Sequence, residues 1–186
     1  MGGVAGSSRG KAQTVRDMVL SMAVIGAVVA VIYVFIPHDE SATPVKAVNS
    51  AELTAAVSSA SRAASYPLLA PKGLDGKDWK TTSVRYRGAD DEHWHLGLHG
   101  PDGKYVGVEQ TSGKPGPFIA DKSQDAKDTG RTERIGGKDW KRYEGDSYDA
   151  LVLQEGGATT VVTGSGSFAR LTEVAGALRP APADKG

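Results

Sequence analysis

Residues 18–36, MVLSMAVIGAVVAVIYVFI, are nineteen consecutive positions without a charge, and only Ser21 and Tyr33 carry polar side-chain atoms. At about 1.5 Å of rise per residue such a run covers roughly 28 Å as a helix, close to the ~30 Å hydrocarbon core of a bilayer. A buried soluble helix of this length normally keeps a polar face, and this run has none. Arg9, Lys11 and Arg16 precede it, and Pro37, His38, Asp39 and Glu40 follow. The positive-inside rule therefore predicts a cytoplasmic N-terminus and an extracytoplasmic remainder. The run is longer than a signal-peptide core, and the nearest small-x-small site, Val45-Lys46-Ala47, lies well past its end, which favours an uncleaved signal anchor.

Residues 37–50 are polar, contain two prolines and show no apolar period, as expected of a linker. Helical spacing then returns: Leu53, Ala56, Val57, Ala60 and Ala64 share one face of a helix predicted over 51–64, with Ser50 as its cap and Pro67 beyond its end. A second helix is predicted over 167–178, where Phe168, Leu171, Ala175 and Leu178 form the stripe, Ser167 the cap and Pro180 the stop. Between them lie six short runs rich in β-branched and aromatic residues, 81–87, 94–99, 104–111, 140–144, 150–154 and 159–163. The polar stretch 112–130 interrupts them, either as a mobile surface loop or as a weak helix over 117–127.

Pro101-Asp102-Gly103 suits a three-residue hairpin connection whose last residue takes the left-handed conformation. That register puts Trp94, Leu96, Leu98, Val106 and Val108 on one face, and His93, His95, His99, Tyr105 and Glu109 on the other. A four-residue loop would send Glu109 to the apolar face, so the pattern itself selects the turn. The expected fold class is α+β: after the transmembrane helix, an antiparallel sheet of about six strands packed by an N-terminal and a C-terminal helix. The expected division is a cytoplasmic stub over 1–17, an anchor over 18–36, a linker over 37–50, an extracytoplasmic domain over 51–180 and a disordered tail over 181–186. Residues 74–80 and 135–141 share the pattern Leu/Ile-x-Gly-Lys-Asp-Trp-Lys, read as a turn used twice to lead into a Trp-headed strand, with a duplicated half-domain as the alternative.

Composition narrows the function. The 22 basic and 22 acidic side chains cancel, but unevenly: residues 1–17 carry +2 and the remainder −2, a mildly acidic domain with no footprint for nucleic acid. The absence of cysteine excludes disulfides, a thiol nucleophile and Cys-ligated metals. Residues 164–169 match G-x-G-x-x-A, but no strand with an acidic residue about twenty positions on follows, so a plain strand-to-helix turn is expected and no cofactor. His93 and His95 lie on one side of a strand with Glu109 opposite His95, a candidate two-His, one-carboxylate metal set. His99 is too far along to join, about 13 Å away. A surface His–Glu pair competes with this reading, because that face is expected to be solvated. Asp90-Asp91-Glu92 reads as a solvated turn. Tyr66, Trp79, Tyr86, Trp140 and Tyr143 read as packing aromatics rather than a ligand platform. No G-x-S-x-G elbow or obvious triad is present.

The basic N-terminus and single anchor, Pro71-x-Gly73-Leu74 leading to Trp79, Gly103-x-Tyr105-Val106 running into Glu109-Gln110, Gly137-x-x-Trp140-x-x-Tyr143, and Thr160-Val161-Val162-x-Gly164 before a helix ending in Ala177-Leu178 together resemble the actinobacterial membrane proteins grouped as domain of unknown function 4245. The likeness covers almost the whole chain and brings no active site with it. The order helix, antiparallel strands, helix is also similar to PsbP-like envelope lipoprotein domains, at the level of fold. The expected role is a non-enzymatic, membrane-anchored module that binds an envelope protein or ligand. The competing readings are an envelope hydrolase or metal-dependent enzyme using His93, His95 and Glu109, and an accessory subunit held through the small-residue patch Gly26, Ala27 and Ala30.

Overall fold

The computed structural model describes residues 15, 18–29, 47–74, 78–89 and 91–182. The chain divides into two units, Met1–Pro44 and Val45–Gly186. In the first, residues 18–29 are helical (α1), and every large apolar side chain along them is more than half exposed. Among the described residues no helix is long and apolar enough to cross a membrane. The rest of the predicted span, 30–36, lies outside the described residues, as do 37–46 and 183–186.

The second unit is built on a seven-stranded antiparallel sheet, one strand more than expected. Its strands are β2 (Lys80–Arg87), β3 (His93–His99), β4 (Tyr105–Thr111), β5 (Lys127–Ile135), β6 (Lys138–Glu144), β7 (Asp149–Glu155) and β8 (Ala158–Gly164), in the order β2-β3-β4-β8-β7-β6-β5. A separate short pair joins β1 (Leu69–Pro71) to β9 (Leu178–Pro180). Neither strand of that pair was expected from sequence, and the strand of the main sheet that was missed is β5, KDTGRTERI, in which only Ile135 is buried. It is an edge strand dense in charge, a composition that discourages edge-to-edge pairing and also erases the apolar alternation by which strands are recognised. The stretch expected as a loop or weak helix thus resolves into a short helix, α3 (Pro115–Lys122), followed by the start of β5.

Helices α2 (Ser50–Ala63) and α4 (Phe168–Ala177) lie where the periodicity placed them. The cap of α2 is one residue earlier than expected: Asn49 Oδ1 accepts from the Glu52 amide at 2.7 Å, and Ser50 is the first helical residue. One core joins α2, α4 and one face of the sheet, with Trp94, Leu96, Val106, Val108, Leu151 and Val162 buried against Leu171 and Val174. The chain beyond β9 stays against the domain, Ala181 donating its amide to the Leu68 carbonyl at 2.8 Å and Ser61 Oγ donating to the Pro182 carbonyl at 2.9 Å.

Candidate functional site

The β3–β4 hairpin has the register its apolar face demanded. Leu98 pairs with Val106, Leu96 with Val108, Trp94 with Gln110 and His95 with Glu109. Gly100 and Lys104 close a three-residue turn at 2.9 Å, and Gly103 sits at φ +71°. With period 2, this places the histidines and Glu109 together on the face away from the main core.

That face is not the open solvent side expected. Helix α3 packs across it, inserting Ile119 among Ala150, Val152 and Val161. Phe118 meets the His93 ring edge-on, with centroids 5.4 Å apart. Glu109 pairs with Val161 of β8, at the margin of this apolar patch, and is only 5 % exposed. A carboxylate so buried needs partners, and it has two. His93 Nε2 lies 2.7 Å from Oε2 and His95 Nδ1 lies 2.6 Å from Oε1. Burial pushes the carboxyl pKa up, but the hydrogen bonds from both imidazoles and their positive charge outweigh it and hold the group below its ordinary value.

The ionised carboxylate only accepts, so Nδ1 of His95 carries a proton. When that ring gives up its second proton Nε2 becomes an acceptor, and Ser83 Oγ lies 2.8 Å from it. Hydroxyl, imidazole and carboxylate thus stand in the order of a nucleophilic relay. Ser83 lies in the regular part of the β2–β3 register, pairing with Gly97 on the face that also carries Arg85 and Arg87, and nothing in the sequence of β2 announces which strand it pairs with or in what register. Gly97 makes the room, since a Cβ there would lie 2.4 Å from Ser83 Oγ and 3.2 Å from the Tyr105 ring. Tyr105 spans Gly97 and Gly107, and burial followed by the nearby Glu109 charge raises its phenol pKa.

The three residues proposed from sequence as a metal set therefore do come together, as two imidazoles hydrogen-bonded to one carboxylate. An ion shared by them would have to open both bonds. Among the described residues, no group of three His, Cys, Asp or Glu side chains is arranged to hold a metal ion. His99 stays outside the cluster, edge-on to Tyr105 at 6.0 Å.

Above the cluster is a depression of about 230 Å³ lined by Arg85, Arg87, His93, His95, Glu109 and Lys122. Arg85 faces His95 and Arg87 faces His93 in the β2–β3 register, and Lys122 comes from the last turn of α3. None of these three cations was picked out from sequence. The arginines look like the solvated side of a strand, and the lysine belongs to a helix too short to show a period. A larger open depression of about 710 Å³ adjoins it, sharing His93 and Lys122 and extending past Phe118 to Ser112 and Lys114.

The other motifs are structural. The Ser165 amide donates to the Tyr105 carbonyl at 3.1 Å, so the G-x-G-x-x-A turn anchors β4. A Cβ on Gly164 would fall 2.0 Å from that same carbonyl oxygen, which accounts for the first glycine. Asp91 and Glu92 are also structural: the Asp91 carbonyl accepts from Thr111 Oγ1 at 2.6 Å, and Glu92 accepts from the Ser65 amide at 3.2 Å. Tyr66 and Trp140 are buried, and Trp79 packs against the same core as Trp140.

A family model described as a protein of unknown function, DUF4245, matches residues 11–178. The chain belongs to this family. No curated protein and no solved structure matches it. Membership in DUF4245 agrees with the likeness seen in the sequence and assigns no chemistry, so function rests on the site itself.

Proposed function

We propose that this DUF4245 protein is a membrane-anchored recognition module, with residues 18–36 as a single-pass anchor, the N-terminus in the cytoplasm, and the α+β domain outside, binding an envelope ligand or partner through the basin over His93, His95 and Glu109. The observation that carries this reading is the buried carboxylate held between two imidazoles beneath an open, cation-lined depression. Folding alone gains little from a buried charge cluster, whereas a binding surface gains fixed side chains. The nineteen-residue apolar run and the basic residues before it support the anchor and its orientation. The Ala/Gly-rich composition supports an actinobacterial source, and the helix–sheet–helix order supports kinship with PsbP-like domains.

The chain has no cysteine, so single cysteines report topology cleanly. In intact cells a membrane-impermeant maleimide should label Ser147→Cys, on an exposed turn, and leave Ser7→Cys unlabelled until the cells are lysed. Labelling of both, or of Ser7→Cys alone, would overturn the orientation. A second reading, an envelope hydrolase, is favoured by one observation, the Ser83–His95–Glu109 relay. Covalent labelling of Ser83 by a fluorophosphonate, lost in His95→Ala, would establish it. Absence of labelling leaves the relay as a structural network.

A further inference from the structure

We propose that the basin binds a phosphate group, held by Arg85, Arg87 and Lys122, and that the rest of the ligand lies in the adjoining depression along Phe118. This rests on the recognition reading above and names its ligand class. Three cations and one carboxylate line the basin, and both oxygens of Glu109 face imidazoles, leaving Arg85 to set the sign of the rim. Arg85 and Arg87 are both exposed, and alternate positions on a strand put their stems on one face, roughly 6.6 Å apart. Arg85 has no hydrogen-bond or ion-pair partner among the described residues.

Lys122 approaches from α3. Its ammonium lies 5.6 Å from the centre of the Phe118 ring and 2.7 Å from Asp121. That ion pair is exposed on the aspartate side, weak in water and readily exchanged for a better anion. Cations on two elements, a strand and a helix end, suit a tetrahedral oxyanion, which offers oxygens in several directions. A planar carboxylate is satisfied by a single guanidinium fork. The adjoining depression, with Phe118 as an apolar wall and Ser112, Lys114, Asp91 and Asp121 as polar lining, suits an uncharged polar body such as a sugar or glycerol, whose hydroxyls can donate to the two carboxylates.

The chain contains four histidines, so imidazole-labelled full-length protein in neutral detergent gives a simple spectrum in which His99 is an internal control. Inorganic phosphate should shift the His93 and His95 signals saturably and leave His99 in place. Arg85→Ala/Arg87→Ala should bind at least about tenfold more weakly, with the His99 signal and thermal midpoint showing that it is folded. Arg131→Ala, an exposed cation on β5, should bind as the parent does.

Shifts of all the histidines alike, equal shifts with acetate at matched ionic strength, or wild-type binding by the double variant would each overturn the proposal. Stoichiometric zinc captured by His93 and His95 would also overturn it. If phosphate is silent but neutral chitotriose shifts His93, the recognition reading survives and the anion class is lost; silence toward both removes the basin as a binding site. In nanodiscs, His93 and His95 shifts that appear on adding phosphatidylglycerol to phosphatidylcholine assign the phosphate to a lipid headgroup. Shifts that require free phosphate assign it to a soluble ligand.

Discussion

Glu109 is the side chain on which the site depends. Its folded-state pKa lies below the ordinary carboxylate value of 4.5. Its ionised form therefore contributes stability that is fully present above that value and is lost as pH falls through the depressed folded pKa. Glu109→Gln keeps the shape but removes the charge that both imidazoles address, and should cost about 1–3 kcal/mol at neutral pH. The variant should also lose part of the parent's decline in stability below the ordinary carboxylate value, which urea unfolding at a series of acid pH values will measure. Equal acid sensitivity in the two proteins would show that the His–Glu bonds carry no net charge stabilisation. Gly97→Ala tests the neighbouring position. Its added methyl meets Ser83 Oγ and the Tyr105 ring, so a loss of about 1–2 kcal/mol is expected, together with a change in the His95 imidazole resonances as the Ser83 contact breaks.

The elements differ sharply in how much of themselves they show in sequence. The β3–β4 hairpin was legible to the level of residue pairs because one face is wholly apolar and a one-residue slip would expose it. That register alone set Glu109 opposite His95. Helices α2 and α4 were legible because each buries a stripe, although the cap of α2 is Asn49 and not the Ser50 expected from sequence. Helix α3 and strand β5 were not legible. An eight-residue helix is too short to stand alone, and it persists because Ile119 docks on a patch that only the folded sheet creates. As a result the burial of Glu109, the edge contact on His93 and the position of Lys122 all depend on a segment whose own sequence is nearly silent. Ile119→Ala should cost about 2 kcal/mol or more, and the loss should be local. Amide exchange should accelerate over residues 115–126 while β3 and β7 keep their protection. Uniform loss of protection would mean that α3 is part of the global folding unit. Gly164→Ala should behave in the opposite way. Its methyl collides with the backbone of Tyr105, so about 3 kcal/mol or more is expected, with the loss spread over the whole sheet because β8 is its central strand and β4 the neighbour it pairs with.

At the scale of the whole molecule, among the described residues the buried clusters draw on positions between Leu53 and Ala181. Both edges of the sheet carry charge, Lys80, Arg85 and Arg87 on β2 and Lys127, Arg131, Glu133 and Arg134 on β5, and each edge strand has a register shift that bends it out of a flat, extendable ribbon. A self-contained core and guarded edges are what a domain needs to stay folded and separate from its copies without help from the apolar run. A chain beginning at Val45 should therefore be a soluble monomer by sedimentation and should melt in one cooperative transition. Its midpoint should fall within about 2 °C of the full-length protein in neutral detergent, a difference under ~1 kcal/mol for a domain of this size. A markedly lower midpoint would show that residues before Val45 contribute to the fold. Concentration-dependent association would show that the charged edges are not sufficient protection.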